Sequence, residues 1–373
     1  MTRAALPPLR SAPWWGGVAL TLGVAYGAGH AADFLGVTLL GFEKSPVSAI
    51  MMGIVIGMVV GNTVPLPKGV VAGIRFCATT VLRVGIMLLG IRLSLVSAGA
   101  NALLALPFVV VAITVGLSTV GFLGRGMGLS RRLSGLIAVG TSICGATAIV
   151  ATAPVIEADE AEVSYAVACI TVFGLAAMFF YPILGHFLFA DDPALAGLFL
   201  GTSIHETAQV AGAGMMYQAQ YAAPQALDVA TVTKLVRNLT MVVLIPLVGV
   251  LYGSRAPAGG APARKRLLSL VPWFIVGFAL MSALRSLGDA GPRPFGIFEK
   301  EQWGVAVVFL QTGAERFLLV AMSAVGLTSM LAGIRRIGAK PFALGLFAAL
   351  VVGGVSLLLI SVFGSALARG IAG

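Results

Sequence analysis

The chain alternates long apolar runs with short polar segments. A helix that crosses a bilayer needs about 20 mainly apolar residues, within a usual range of about 17–25. Eleven runs of about this length predict transmembrane helices near 14–32, 46–64, 69–91, 101–123, 133–155, 164–187, 194–214, 227–252, 268–285, 302–328 and 341–365. The pattern therefore predicts an all-α polytopic membrane protein. One transmembrane domain over 14–365 would lie between a segment 1–13 and a tail 366–373.

Composition supports this prediction and excludes others. Of the 373 residues, 58% are hydrophobic and 10% are charged, and the mean hydropathy is +1.01. A soluble domain carries about 25% charged residues. The formal charge of +10 would suggest nucleic-acid binding in a soluble protein, but the basic residues fall mostly between the apolar runs. Such residues orient membrane proteins, so we expect the lipid bilayer, and no nucleic acid, as a partner.

The distribution of charges and cysteines adds an orientation and excludes a disulfide framework. With a cytoplasmic N-terminus, most Lys and Arg of the connecting segments lie inside, and the acidic run from Glu157 to Glu162 lies outside. The positive-inside rule therefore predicts that the N-terminus is cytoplasmic and the C-terminus external. The three cysteines all lie inside apolar segments, which does not indicate paired cysteines.

Two pairs of short segments predict an inverted repeat. Residues 85–95, GIMLLGIRLSL, resemble residues 321–331, AMSAVGLTSML, and residues 105–108, ALPF, resemble residues 339–342, AKPF. The matches relate 69–123 to 302–365, which lie an odd number of predicted spans apart and would run in opposite directions. Inverted repeats are typical of secondary transporters. The alternative is chance similarity between glycine-rich apolar helices.

A second and more polar similarity lies in the middle of two apolar runs. Residues 140–148, GTSICGATA, resemble residues 201–209, GTSIHETAQ. Irregular backbone at bilayer depth is tolerated only where it is buried in protein or lines a polar cavity. The segments 140–150 and 201–212 are therefore predicted to be discontinuous helices, at which transporters hold their substrates. The alternative is a tight helix interface built from small residues.

Few ionisable residues remain inside the predicted spans, and positive charges prevail among them. They are Arg75, Arg83, Glu206, Lys234, Arg237, Glu315 and Arg316. An ionisable residue at the centre of a helix costs at least about 2.5–3.5 kcal/mol, so each is a functional candidate. A net positive interior would offset the desolvation of an anion. As alternatives, Arg75 and Arg237 could extend to a membrane edge, and Glu206 could form a structural ion pair with Lys234 or Arg83.

Glu206 and the neighbouring His205 are predicted to couple transport to an ion. Carboxylates and imidazoles titrate in a usable pH range when they are partly buried. The coupling ion would be H⁺ or Na⁺, and no other cofactor is predicted. The segment HETAQ lacks the second histidine of a zinc protease, and the chain has no P-loop. We therefore expect no enzymatic activity.

The central motifs resemble a known family. The stretch SICGATAIVATAPVIEADEAEVSYAVACITVFGLAAMFFYPILG, followed by GTSIHETAQVAGAG and VTKLVRN, is similar to the YeiH-type family of sulfate exporters. The overall pattern covers roughly residues 70–365. Where many relatives read C-G-G-S-A, this chain reads CGATA, so alanine replaces the second glycine. The resemblance implies a bacterial inner-membrane protein, an inverted-repeat fold related to sodium/proton antiporters and bile-acid symporters, and sulfate or sulfite as the substrate.

The main hypothesis is a secondary transporter that moves a small anion by alternating access. The anion would be sulfate, sulfite, a related oxyanion or a sulfonate, and a homodimer is one candidate assembly. The substrate-binding candidates are Ser142, Cys144, Gly145, Thr147, Ser203, Thr207, Gln209, Arg83, Lys234 and Arg237. The ion-coupling candidates are His205, Glu206 and Glu315. The alternatives are a cation exchanger of the same fold, with Glu206 and Glu315 as ligands, and a membrane subunit that transports nothing.

Overall fold

The computed structural model describes residues 11–39, 48–252, 270–329, 338–364 and 366, in which helices occur and strands do not. The helices are Ala12–Asp33 (α1), Ala49–Thr63 (α2), Lys68–Phe76 (α3), Leu82–Leu89 (α4), Leu95–Gly126 (α5), Arg131–Ser142 (α6), Ala146–Thr152 (α7), Glu160–Phe189 (α8), Pro193–Ser203 (α9), Thr207–Tyr221 (α10), Pro224–Leu239 (α11), Met241–Leu251 (α12), Trp273–Asp289 (α13), Lys300–Thr328 (α14) and Ala339–Leu359 (α15). The all-α prediction is confirmed for this part of the chain. Most of the predicted segments 1–13 and 366–373, and the end of the 321–331 match, lie outside the described residues.

Seven helical segments are long and apolar enough to cross a membrane. They are Ala12–Leu39, Lys68–Arg92, Leu95–Gly126, Glu160–Phe189, Pro224–Leu251, Lys300–Thr328 and Ala339–Gly364. The predicted spans 46–64 and 268–285 fall on the shorter helices α2 and α13, and 133–155 and 194–214 fall on interrupted helices. Several spans therefore support a polytopic membrane protein. The number eleven, the inverted repeat and the orientation of the termini stay predictions. The predicted placement of the acidic run from Glu157 to Glu162 across the membrane from Arg132 is wrong, because Arg132 lies 3.7 Å from Glu157 and the Ser130 hydroxyl donates to Glu162.

The residues predicted to form one domain over 14–365 group into two compact units. The first unit comprises residues 1–94, 218–222 and 277–331, and the second comprises 95–217, 223–276 and 332–373, each as far as it is described. The first unit contains α1–α4, α14 and most of α13. The second contains α5–α9, α11, α12, α15 and most of α10.

In the first unit, α2 packs backbone to backbone against α14. Gly53, Gly57 and Gly61 are spaced by four residues and therefore lie on one face of α2. A Cβ atom built on Gly57 would lie 2.5 Å from the carbonyl oxygen of Ser323, and one on Gly61 would lie 2.3 Å from that of Leu327. Stripes of small residues allow such close helix contacts in membranes. No larger side chain fits on this face of α2.

In the second unit, several helices begin at residues that cap them locally. Ser130 accepts a hydrogen bond from Leu133 N at the start of α6, and Asp159 and Glu162 form a capping box at the start of α8. Asp192 caps α9. Each such cap stabilises a helix by about 1 kcal/mol. By contrast, α6 and α9 end in the middle of apolar runs, and these two ends form the candidate site.

Candidate functional site

Two helices of the second unit are interrupted at equivalent positions of the polar similarity. Helix α6 ends at Ser142 and α7 begins at Ala146, whereas α9 ends at Ser203 and α10 begins at Thr207. Each break therefore follows the shared sequence Gly-Thr-Ser and spans three residues. A helix break therefore lies within each of the segments 140–150 and 201–212, for which discontinuous helices are predicted. Nη2 of Arg132 at the start of α6 lies 3.7 Å from Oε2 of Glu157 after α7, so the two ends of the α6–α7 segment lie together.

The backbone leaves the helical conformation in a different way at each break. Ile204 is extended, with φ −79° and ψ 141°, whereas Ile143 has φ −112° and ψ −88°. Gly145 has φ 73° and ψ −135°, a conformation that residues with a Cβ rarely adopt. A Cβ atom on Gly145 would also lie 2.3 Å from Cγ of Glu206. Glycine is therefore required at position 145 both by the backbone and by the neighbouring Glu206.

Arg237 on α11 binds the C-terminal ends of both α6 and α9. Its Nε donates to the carbonyl of Ser142 at 2.7 Å, and its Nη2 donates to that of Thr141. Its Nη1 donates to the carbonyls of Thr202 at 2.6 Å and Ile204 at 3.2 Å. The last carbonyls of a helix have no partner within that helix. The fully buried Arg237 thus supplies donors to two helix ends and offsets their partial negative charge.

Lys234 lies one turn before Arg237 and binds the breaks themselves. Its Nζ donates to the carbonyls of Ile143 at 3.2 Å and Ile204 at 3.0 Å, and also to that of His205. These three acceptors match the three N–H donors of an ammonium group. Lys234 is fully buried as well. The contacts of Lys234 and Arg237 are thus with the backbone, and a direct contact with substrate stays a prediction.

Glu206 occupies the half-buried edge of the second break. Its Oε1 accepts a hydrogen bond from Ala146 N, at the start of α7, at 3.4 Å. Its own backbone N–H donates to Oε1 of Gln209 at 3.1 Å, and Nε2 of Gln209 donates to the carbonyl of Thr171 on α8 at 3.4 Å. Gln209 therefore orients the backbone of Glu206 and anchors the second break to α8.

Gly174 on α8 leaves the space that Gln209 occupies. A Cβ atom there would lie 2.0 Å from Oε1 of Gln209. Gly→Ala usually stabilises the interior of a helix by about 0.5–1 kcal/mol. We expect Gly174→Ala instead to destabilise the protein by about 1–3 kcal/mol, because Gln209 must leave buried partners. The melting temperature of the purified protein in detergent measures this effect.

Gly121 on α5 offers a matched control, because a Cβ atom there would meet nothing within 4 Å. Gly121→Ala is expected to leave the melting temperature unchanged or to raise it slightly. Equal melting temperatures for the two variants would show that the position of Gln209 does not contribute to the stability of the protein.

Several buried polar atoms near the breaks have no hydrogen-bond partner among the described residues. They are the hydroxyls of Thr141, Ser142, Ser203 and Thr233 and Oδ1 of Asn238. Neither ring nitrogen of His205 makes a hydrogen bond of standard geometry, although the Thr141 carbonyl is close enough to attract a ring N–H. Native proteins leave few buried polar atoms unpaired. These atoms are therefore candidates for binding water or a polar substrate.

The remaining candidates lie in different surroundings. Cys144 is buried, with its Sγ 3.1 Å from Sδ of Met241, whereas Thr147 is exposed and Thr207 is half-buried. Thr207 accepts a hydrogen bond from Nδ2 of Asn238 at 3.0 Å. The substrate-binding and ion-coupling candidates within 142–147, 203–209 and α11 therefore all belong to the second unit.

Arg83 on α4 and Glu315 on α14 belong to the first unit. Oε1 of Glu315 lies 3.2 Å from Nη1 of Arg92 and 2.9 Å from Nε2 of Gln218. Arg92, which directly follows the predicted span 69–91, has only 9% of its side chain exposed. Glu315 therefore has a buried cation beside it, and its predicted role in ion coupling stays untested.

Asn238 and Gly174 are not among the site residues predicted from the sequence. Asn238 follows Arg237 directly, and a polar residue next to a buried cation in an apolar run is a signal that could have been used. Gly174 carries no such signal, because it is one of 48 glycines in the sequence. Its role follows from the close approach of α8 to Gln209.

Comparison with known proteins gives consistent matches over most of the chain. A family model described as Conserved hypothetical protein 698 matches residues 20–345. The UPF0324 inner membrane protein YeiH of Salmonella typhi is 33% identical over 317 residues, which cover 82% of this chain and 84% of the relative. A UPF0324 membrane protein of Pseudomonas aeruginosa is 35% identical over 326 residues, or 84% and 86% of the two chains. One of Bacillus cereus is 33% identical over 337 residues, or 88% and 89%.

Proposed function

The chain belongs to the family described as Conserved hypothetical protein 698, whose relatives are named UPF0324 membrane proteins, and on this premise we propose that it is a secondary transporter of a small anion. Transport would proceed by alternating access, with the binding site at the two helix breaks. Sulfate, sulfite, related oxyanions and sulfonates are the substrates to test, because the motifs resemble those of YeiH-type exporters.

The observation that carries this proposal is the pair of helix breaks bound to one helix by Lys234 and Arg237. Transporters commonly place their substrate site at discontinuous helices near the middle of the bilayer. Fully buried cations are energetically costly in a membrane. A protein that served only as a membrane anchor would gain no stability from two interrupted helices that contain them. The unpaired hydroxyls of Ser142 and Ser203 provide polar groups for a substrate at the same place.

The charge around the breaks favours an anion. Each break contributes one C-terminal and one N-terminal helix end, whose partial charges of about 0.5 cancel. The charged side chains at the breaks are then the two cations Lys234 and Arg237 and one carboxylate, that of Glu206. With all three groups ionised, about one positive charge remains. A cation exchanger would instead gather several carboxylates, so the geometry supports this alternative less well.

Glu206 is the residue through which we expect a coupling ion to act. Its carboxylate lies at the half-buried edge of the site, where it compensates part of the positive charge. When it takes up a proton, the positive charge of the site increases by one unit. A proton and an anion would therefore bind cooperatively, because each makes the other more favourable.

We expect Glu206→Gln to abolish sulfate or sulfite uptake driven by a pH gradient. Glutamine fills the same space and keeps an oxygen for Ala146 N, but it cannot take up the proton. Radiolabelled sulfate or sulfite uptake into proteoliposomes, with and without a pH gradient, measures the effect. The variant is expected to fold and to retain exchange of labelled for unlabelled anion, which needs no net proton movement.

The exposed Glu301 at the start of α14 gives the matched control, and Glu301→Gln should transport like the unchanged protein. Gradient-driven uptake that persists in Glu206→Gln would exclude the coupling role. Flux that depends on Na⁺ and pH without any added anion would favour a cation exchanger. Absence of flux with every anion tested, in protein that is folded, would favour a subunit that transports nothing.

A further inference from the structure

The carbonyl oxygens that surround Nζ of Lys234 have the composition of a monovalent-cation site. Ile143 contributes one oxygen from the first break, and Ile204 and His205 contribute two from the second. In many transporters such unwound carbonyls coordinate Na⁺. We infer that these oxygens form a cation site that the chain fills permanently with the ammonium group of its own Lys234.

The hydrogen bonds of Arg237 strengthen this inference. It takes the carbonyls of Thr141 and Ser142 at the first break, and those of Thr202 and Ile204 at the second. Together the two cations engage every backbone carbonyl from Thr141 to Ile143, and three of the four from Thr202 to His205. The carbonyls that a coupling Na⁺ would use are thus already bound to fixed positive charges.

A lysine differs from a bound metal ion because it cannot leave. The two breaks therefore remain joined whatever the concentration of Na⁺ outside the protein. One consequence rests on the proposed transport function. If the carbonyls at the breaks are not available to Na⁺, the coupling ion is a proton that Glu206 takes up. The cation site itself does not depend on that function, so it can be tested on purified protein without any flux.

The test measures the melting temperature of detergent-purified protein in chloride salts of Na⁺, K⁺, ammonium, methylammonium and choline at equal ionic strength. For the unchanged protein, we expect the same melting temperature in all five salts. Stabilisation by Na⁺ relative to choline would overturn the inference, because an open sodium site would then exist. This arm needs no variant and remains decisive if a variant fails to fold.

Lys234→Ala should empty the site and expose its oxygens to added cations. We expect this variant to melt at a lower temperature in choline and to regain most of the loss in ammonium or methylammonium, which replace the missing group. Leu235→Ala, which removes a buried apolar neighbour on α11, should lose stability without any dependence on the cation. A Lys234→Ala variant that responds to the salts as Leu235→Ala does would overturn the inference. Either result leaves the anion-flux assay as an independent test of the proposed function.

Discussion

Replacement of Arg237 by methionine is expected to remove most of the folded protein from the membrane. Methionine is also long and unbranched, but it donates no hydrogen bond to the carbonyls of Thr141, Ser142 and Thr202. Each buried polar group left unpaired costs about 1–3 kcal/mol. Several such losses approach the net stability of a typical protein, about 5–15 kcal/mol. The yield of monodisperse protein after detergent extraction and size-exclusion chromatography measures the effect.

Arg316 provides the control for this experiment, because it is an arginine on α14 that is exposed. Arg316→Met should leave the yield close to that of the unchanged protein. Arg237→Lys should fall between the two, since lysine keeps the charge but lacks the planar fork that reaches two helix ends. A normal yield of Arg237→Met would contradict the role assigned to these hydrogen bonds.

Alanine at position 145 is expected to produce the second-largest loss of stability. The backbone there has φ 73° and ψ −135°, and holding a residue with a Cβ in a sparsely populated region costs about 1–3 kcal/mol. The new Cβ must also displace the Glu206 side chain, which would otherwise lie 2.3 Å away at Cγ. Gly145→Ala should therefore lower the melting temperature and also impair gradient-driven flux.

Gly128 provides a control in which only the backbone conformation, and no side-chain contact, opposes a Cβ atom. It also has a positive φ, 72°, but the nearest atom to a built Cβ is Nζ of Lys340 at 3.7 Å. Gly128→Ala should therefore cost only the backbone part, about 1–2 kcal/mol. Truncation of Glu206 to alanine should relieve the remaining part of the Gly145→Ala loss in a double-mutant cycle. A Gly145→Ala loss that is the same with and without the Glu206 side chain would mean that the contact with Glu206 carries no energy.

The positions of the two helix breaks could be predicted from the sequence because their cause is local. Gly140-Thr-Ser and Gly201-Thr-Ser interrupt otherwise apolar runs, and small polar residues offer the backbone alternatives to the helix. The segments identified in this way contain both observed breaks. The similarity of the two segments was also informative, since the breaks begin and end at matching residues.

The partners of Lys234 and Arg237 could not be predicted in the same way because they are distant in the chain. Lys234 binds a carbonyl 91 residues away, and Arg237 binds one 95 residues away. From the sequence, both are predicted to bind an anion, with a membrane-edge position for Arg237 and an ion pair of Lys234 with Glu206 as the alternatives. A helix that ends inside a membrane needs donors for its last carbonyls. Lys234 and Arg237 meet this need, but that α11 lies beside both helix ends follows only from the tertiary structure.

The sequence also does not predict how the other ionisable residues of the apolar runs are distributed between the two units. Arg83, Glu206 and Glu315 all lie within apolar runs, and hydropathy alone does not say which runs pack together. The contacts of Glu315 with Arg92 and Gln218 depend on the tertiary arrangement of the first unit. The sequence therefore shows which ionisable residues lie within apolar runs, but not how they are divided between the two units.

The binding of both breaks to α11 has a mechanical consequence. If the end of α6 moved away from the end of α9, Arg237 would have to release buried carbonyls on one side, and each buried polar group left unpaired costs about 1–3 kcal/mol. The ends of α6 and α9 would therefore be displaced together with α11 during the proposed transport cycle. The hinges that permit such a displacement should be sought outside these helices.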